Sequence, residues 1–218
     1  MKILAIDTTT KKATVALNLD NKIIVKEVDN EITHSEKLLP LLDEVLNDSN
    51  TKLKDIDLFA ITLGPGSFTG VRIGIATIKA IAKVTNKKIF GTTSLNLLAI
   101  DGIKKANFKP KYVLSLMDAR NSRVYYDLYK YENDNLMSLD FSGNDYIDSV
   151  LENVKEKNLS DLLITIDNNT SNLNNVQLAT LDLTNIFNLD MSSNIYDYLN
   201  LDALYYRKSE AERTKEGE

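Results

Sequence analysis

The segment Asp57-Leu58-Phe59-Ala60-Ile61-Thr62-Leu63-Gly64-Pro65-Gly66-Ser67-Phe68-Thr69-Gly70-Val71-Arg72-Ile73-Gly74 constrains the fold of the 218-residue chain more than any other. An apolar run breaks at Gly64-Pro65-Gly66 and restarts with helical spacing, which places a stiff turn at the carboxyl end of a strand. Open α/β sheets put their ligand and partner surfaces there. Gly64 and Gly66 reach φ values closed to other residues while Pro65 fixes its own, so N–H groups near the helix start can be held toward an anion such as phosphate. The plainer reading is a sharp strand-to-helix connection. The GxxxxGK[ST] arrangement of a Walker A loop is absent.

The amino terminus supplies a second half for such a site. Ile3 to Ile6 and Lys12 to Leu19 read as hairpin strands, the first apolar enough to be central, joined by a polar turn carrying Asp7, Thr8, Thr9 and Thr10. A third strand near Lys22 to Val28 completes a meander. The turn can present a carboxylate and hydroxyls to a nucleotide phosphate or to hydrated Mg²⁺, a hard cation that takes oxygen ligands. Capping of the turn by Asp7 is the competing account.

Downstream, Thr33 and Glu36 read as a capping box opening a helix from His34 to Asn47, with a bend expected at Pro40. Leu38, Leu42 and Leu46 lie on an apolar face that is broader than packing on one sheet requires. A strand from Ile56 to Leu63 leads through the Gly-Pro-Gly turn to a helix from Gly70 to Val84 with a stripe of small residues. We therefore expect the faces around Leu38, Leu42, Leu46 and around Gly70, Gly74, Thr77, Ile81 to form a helical docking surface, close packing within one subunit being the alternative. A strand Lys88 to Gly91 and a helix Leu95 to Lys105 close the first lobe, taken as residues 1–106. In 107–218, Tyr112 to Met117 and Val124 to Tyr131 repeat the hairpin, with Asp118 placed as Asp7 is. Helix Asp145 to Lys157, strand Asp161 to Ile166 and a terminal helix or tail from Ile195, packing back on the first lobe, complete the expected second lobe.

Composition removes several function classes. The chain is 43% hydrophobic and has no cysteine, which excludes thiol nucleophiles, thiolate metal sites and disulfides. With one histidine, His34, neither HExxH nor His-Asp-Ser machinery can be assembled from this chain. The net charge of -5 argues against nonspecific nucleic-acid binding and leaves room for a local basic patch. Without a leader or a long apolar run, a cytoplasmic protein that does not enter the membrane is expected. The scattered asparagines read as compositional bias.

The ordered set Ile3-Leu4-Ala5-Ile6-Asp7-Thr8-Thr9, His34-Ser35-Glu36-Lys37-Leu38-Leu39-Pro40, the Gly64 to Gly74 block, Thr92-Thr93-Ser94-Leu95, Met117-Asp118-Ala119-Arg120 and Ala203 to Glu210 resembles the bacterial TsaB (YeaZ) family. The resemblance implies an α/β, two-lobed actin-like or Hsp70-type (ASKHA, ribonuclease H-like) fold, each lobe a mixed sheet with packed helices. It implies a noncatalytic scaffold in making threonylcarbamoyladenosine at position 37 of tRNAs reading codons that start with adenine. The partners would be a TsaD-like catalytic subunit and a TsaE-like ATPase, with tRNA met indirectly through the complex and a homodimer formed in isolation. In TsaD a pair of helical histidines holds a metal beside the nucleotide. Ser94 to Ala99 here carries none, so no metal is expected, and Asp7, Thr8, Thr9, Gly64, Pro65 and Gly66 are expected to form at most a vestigial site for weak Mg-ATP or ADP binding. Asp167-Asn168-Asn169, standing where many relatives have a glycine-rich turn, points the same way. The alternatives are an actin-like-fold enzyme acting on ATP or a small metabolite, or a protease acting on TsaD.

Overall fold

The computed structural model describes residues 1–20, 22–29, 34–167 and 176–206, with the side chains of 34 and 35 excepted. Thr33 of the expected capping box, and Asn168 and Asn169, lie outside the described residues. The strands are β1 (Lys2–Asp7), β2 (Lys12–Leu19), β3 (Ile23–Asp29), β4 (Leu58–Thr62), β5 (Ile89–Thr92), β6 (Tyr112–Asp118), β7 (Arg123–Glu132), β8 (Asn135–Tyr146), β9 (Leu162–Ile166), β10 (Gln177–Leu178) and β11 (Ile195–Tyr196). The helices are α1 (His34–Asp48), α2 (Phe68–Thr85), α3 (Ser94–Lys105) and α4 (Ile147–Glu156). No helix among the described residues is long and apolar enough to cross a membrane.

The chain divides into two units. The first comprises Met1–Ser94 and Leu183–Leu204; the second comprises Leu95–Asp182 and, of 205–218, the described Tyr205 and Tyr206. The break, expected after residue 106, falls between Ser94 and Leu95, after the first residue of α3.

In the first unit the strand order is β11-β5-β4-β1-β2-β3. β1 pairs antiparallel with β2 and parallel with β4, so it is central, and Ile3 to Asp7 are all buried. α1 and α2 pack over this sheet, joining Leu38, Leu42, Val45, Val71, Ile75 and Ile78 to Leu4, Ile6, Val15, Leu17, Phe59 and Ile61 in one core. α1 continues through the exposed Pro40, where the missing N–H costs least because water can satisfy the freed carbonyl. Of the two forms expected from Ile195 onward, helix or tail, residues 194–204 take the second, as an irregular strap. β11 pairs antiparallel with β5, Leu201 is buried in the core, and the Lys79 ammonium donates to the Leu201 carbonyl at 2.9 Å.

The second unit repeats the plan. Its order is β10-β9-β6-β7-β8, again a three-stranded meander followed by two strands parallel to its first member. Leu95, Leu98 and Ala99 of α3 pack with Met117, Tyr125, Val113 and Tyr129, while Val150 and Val154 of α4 pack with Leu114, Leu116 and Leu128. These two sets alternate along β6 and β7, so the helices cover opposite faces. β8 was not expected from the sequence. It is an edge strand with a half-exposed, irregular pattern and a register shift between Asp127 and Tyr129, so it lacks the alternation that reveals a strand.

Six of the scattered asparagines stand at left-handed turn positions. Twelve described non-glycine residues have positive φ, and ten of them are Asn or Asp, including Asn86 at φ 54°, whose N–H closes α2 on the Ala82 carbonyl. Asn and Asp tolerate this region better than other side chains, and the chain has only eight glycines to place there.

Asp127 is the most informative buried charge in the second unit. It is 4% exposed, accepts from Ser138 Oγ at 2.8 Å, and is pushed above the ordinary carboxyl value of 3.8 because burial outweighs its hydrogen bonds. Tyr206, which packs edge-on against Tyr125, is pushed up to about 12 by burial and by the charge of Asp127. A carboxyl with a raised folded-state pKa binds its proton more tightly when folded. Its contribution is fully present below 3.8 and is lost as pH rises through the folded value. We predict that Asp127→Asn melts above the parent protein at about pH 7 and that the gap closes toward about pH 3.5, measured by thermal denaturation across pH.

Candidate functional site at the carboxyl ends of β1 and β4

The six residues expected at a nucleotide cradle do meet. Asp7 ends β1, Thr8 and Thr9 follow it, and Gly64-Pro65-Gly66 follows β4, the parallel neighbour of β1. Their polar groups are directed at one another. Asp7 Oδ1 accepts from the Thr9 hydroxyl at 2.7 Å, from the Thr9 amide at 3.3 Å and from the Thr62 hydroxyl. Thr9 Oγ1 accepts in turn from Ser94 Oγ at 3.1 Å, and all four residues are buried.

The turn is occupied by its own chain. The Ser67 amide donates to the Thr9 carbonyl at 2.7 Å, and Ser67 Oγ caps α2 by accepting from the Gly70 amide at 3.2 Å. The Thr8 hydroxyl donates to the Gly70 carbonyl at 2.7 Å. A Cβ added at Gly70 would collide with the Thr8 carbonyl, and one added at Gly74 with the Thr8 side chain. Helix α2 therefore lies directly on the β1–β2 connection, and its small residues serve that approach. On the other flank Gly64, at φ 109°, has the Leu204 carbonyl 2.9 Å from where a Cβ would stand, while the Leu204 amide donates to the Leu63 carbonyl at 2.9 Å.

The expected docking residues are placed differently from the sequence reading. Leu38, Leu42 and Leu46 are 1%, 2% and 7% exposed and belong to the core of the first unit, and Gly70 and Gly74 are buried against Thr8. The breadth of the leucine face is explained by α1 packing on β2, β3 and α2 together. Thr77 and Ile81 are half-buried, and the same helices expose Leu39 at 53% and Val84 at 88%. Sequence reasoning missed Thr62, Ser94 and Leu204 as parts of the site. Thr62 alone left a signal, a hydroxyl closing an otherwise apolar strand.

The second unit has carboxylates at the corresponding strand ends. Asp118 ends β6, its amide donates to Asp167 Oδ1 just beyond β9 at 2.9 Å, and its Oδ1 accepts from the Arg120 amide at 2.9 Å. Among the described residues no group of three or more His, Asp or Glu is placed to hold a metal.

Two units of this strand order, each beginning with a meander, define a duplicated α/β protein of the actin-like, ribonuclease H-like class. Residues 27–179 match the family model described as TsaD: tRNA N6-adenosine threonylcarbamoyltransferase. The TsaB protein of Bacillus subtilis is 32% identical over 158 residues, covering 72% of this chain and 67% of that protein. The TsaB protein of Escherichia coli is 37% identical over 130 residues, covering 60% and 55% respectively. A solved structure described as an uncharacterized protein with similarity to peptidase YEAZ from Pseudomonas aeruginosa superposes with a TM-score of 0.73 at 20% identity, over 94% of this chain and 99% of that one, and shows the same fold. The chain belongs to the TsaB family. Its alignments span between about half and two thirds of the length of these curated relatives.

The close approach at Gly70 yields a direct test. We predict that Gly70→Ala, a substitution that would favour an ordinary helix interior by about 1 kcal/mol, instead lowers the melting temperature of the protein. We predict that Thr62→Val destabilises by about 1–3 kcal/mol in chemical denaturation, because the buried Asp7 carboxylate loses a donor.

Proposed function

We propose that this chain is a noncatalytic subunit in the formation of N6-threonylcarbamoyladenosine at position 37 of tRNAs reading codons that start with adenine. It supports a TsaD-like catalytic subunit and helps recruit a TsaE-like ATPase. The relatives supply the process, since they are named for threonylcarbamoyladenosine biosynthesis. The observation that favours a supporting role is the inward closure of the strand-end site. Asp7 Oδ1 accepts from Thr9 and Thr62, and the Thr9 backbone lies against Gly66. These groups brace the first unit, which supports a vestigial site over a catalytic one.

The docking surface in this reading is the outer side of α1 and α2. Ile73, Thr77, Ile81 and Val84 recur at helical spacing along α2, and Leu39 is the exposed apolar residue of α1. Equivalent helices of the partner would cover them, and in its absence a second copy of this chain would do so.

Reconstituted threonylcarbamoyl transfer to tRNA tests the assignment. Modification is expected only with the catalytic subunit present and is expected to fall sharply when this chain is omitted; transfer by this chain alone overturns the reading. We predict that Thr77→Arg combined with Val84→Asp weakens association with the catalytic subunit at least about tenfold, roughly 1.4 kcal/mol, with an unchanged melting temperature. Unchanged association would place the docking surface elsewhere. Calorimetric titration of the isolated chain with Mg-ATP is expected to give a millimolar constant at best, about 4 kcal/mol of binding energy. A micromolar constant abolished by Asp7→Ala would favour an enzyme acting on ATP.

A further inference from the structure

Across the face of the second sheet that α3 covers, one polar row crosses a layer otherwise built of apolar and aromatic side chains. Thr165 of β9 stands opposite Ser115 of β6, Ser115 opposite Asp127 of β7, and Asp127 opposite Ser142 of β8. Thr165 and Ser115 are fully buried and Asp127 nearly so, while α3 meets this face with Leu95, Leu98 and Ala99. Ser115 Oγ donates to the Leu95 carbonyl at 2.7 Å, so its proton goes to the helix rather than to the carboxyl. Asp127 is the one ionisable member of the row.

Tyr206 closes this row at its β8 end. The ring packs edge-on against Tyr125, two residues before Asp127 on the same side of β7, with centroids 6.4 Å apart, and its hydroxyl shares a hydrogen bond with Ser142. It is thereby held over the β7–β8 pair beside the carboxyl, whose charge acts on it. The remaining groups facing Asp127 come from both strands. β7 supplies hydrogen bonds from Tyr129 and from the Leu128 amide; β8 supplies the Ser138 hydroxyl at 2.8 Å and the charge of Asp140, which opposes ionisation. The register shift between Asp127 and Tyr129 brings Ser138 within reach of a carboxyl that already faces Ser142.

We propose that Tyr206 is a proton-sensitive latch, seated on the second unit most firmly when Asp127 is neutral and loosened when Asp127 ionises. A ring that keeps water from a carboxyl makes ionisation costly, because the carboxylate loses hydration that its few hydrogen bonds do not replace. The coupling is reciprocal: a seated ring that disfavours the charge is disfavoured by the charge to the same factor. Burial holds Asp127 above the ordinary value of 3.8, so the firmer seating is complete below 3.8 and is lost as pH rises through the folded-state midpoint. The latch lies wholly in the second unit and goes beyond the role proposed above, on which it does not depend.

Carbon-detected NMR of the full chain reads both sides of the coupling: the titration of the Asp127 carboxyl, and the broadening of the Tyr206 ring signals by a neutral paramagnetic cosolute as pH is raised. In the parent, broadening is expected to increase as Asp127 ionises. Tyr206→Ala is expected to lower the Asp127 midpoint by about one unit, which corresponds to about a tenfold change in seating between the two charge states. Tyr206→Phe keeps the ring, and its midpoint is expected to stay near that of the parent. Asp127→Asn fixes a neutral side chain, and the Tyr206 ring is expected to stay protected throughout. An Asp127 midpoint that is the same in the parent and in Tyr206→Ala overturns the latch, as does a Tyr206 ring equally broadened on both sides of the parent midpoint. A fall in Tyr206→Phe as large as that in Tyr206→Ala places the coupling in the hydroxyl and overturns the ring as the cover. Should Tyr206→Ala not fold, the ring signals of the parent and of Asp127→Asn decide the matter.

Discussion

The first unit depends on how closely the loop after β1 approaches the first turns of α2. A hydrogen bond from the Thr8 hydroxyl to the Gly70 carbonyl, with no side chain at Gly70 or Gly74, lets two backbones lie nearly in contact. Once that contact is made, the Thr9 carbonyl reaches the Ser67 amide, Thr9 reaches Asp7, and Asp7 reaches Thr62 on the neighbouring strand. A buried carboxylate is costly unless it is fully hydrogen-bonded, so the network stands or falls as a unit. It also joins the strand ends of β1 and β4 to α2, the helix between β4 and β5.

The duplication of the meander shows how one topology is adapted twice. In the first unit the strand-end carboxylate is buried among hydroxyls; in the second, Asp118 and Asp167 meet through a backbone amide nearer the surface. Both units hold their turns with Asn and Asp in left-handed conformations, which lets a chain with few glycines make many sharp reversals. Six of the asparagines that look like background in the sequence thus stand at such turns.

Much of the fold was legible in the sequence because the relevant signals are local. The apolar run of β1, the periodic leucines of α1 and the break at Gly64-Pro65-Gly66 each report on a few neighbouring residues, and each element formed where its pattern placed it. The six residues of the candidate site lie together because they stand at or just past the carboxyl ends of adjacent parallel strands. What the sequence withheld was the direction of side chains and the course of weakly patterned segments. Leu38, Leu42 and Leu46 were read as an outward surface because no pattern records that α1 packs on β2, β3 and α2 at once. β8 is an irregular edge strand, and residues 194–204 make a strap whose only regular pairing is Ile195-Tyr196 on β5. Its path is set by contacts far away in sequence, and those leave no periodicity.

That strap gives the order of synthesis a structural meaning. The first unit is interrupted by residues 95–182 of the second and is completed only when residues 183–204 arrive. Domains generally fold as they emerge, so in the interval β5 presents an open edge with Ile89 and Phe90, a template for pairing with a neighbouring chain. Lys87 and Lys88 precede that edge and place positive charge beside it. A nascent chain must therefore shelter its sheet until residues 183–204 are made, and the strap that covers β5 through Ile195 and Tyr196 also fastens the Gly64 turn through Leu204.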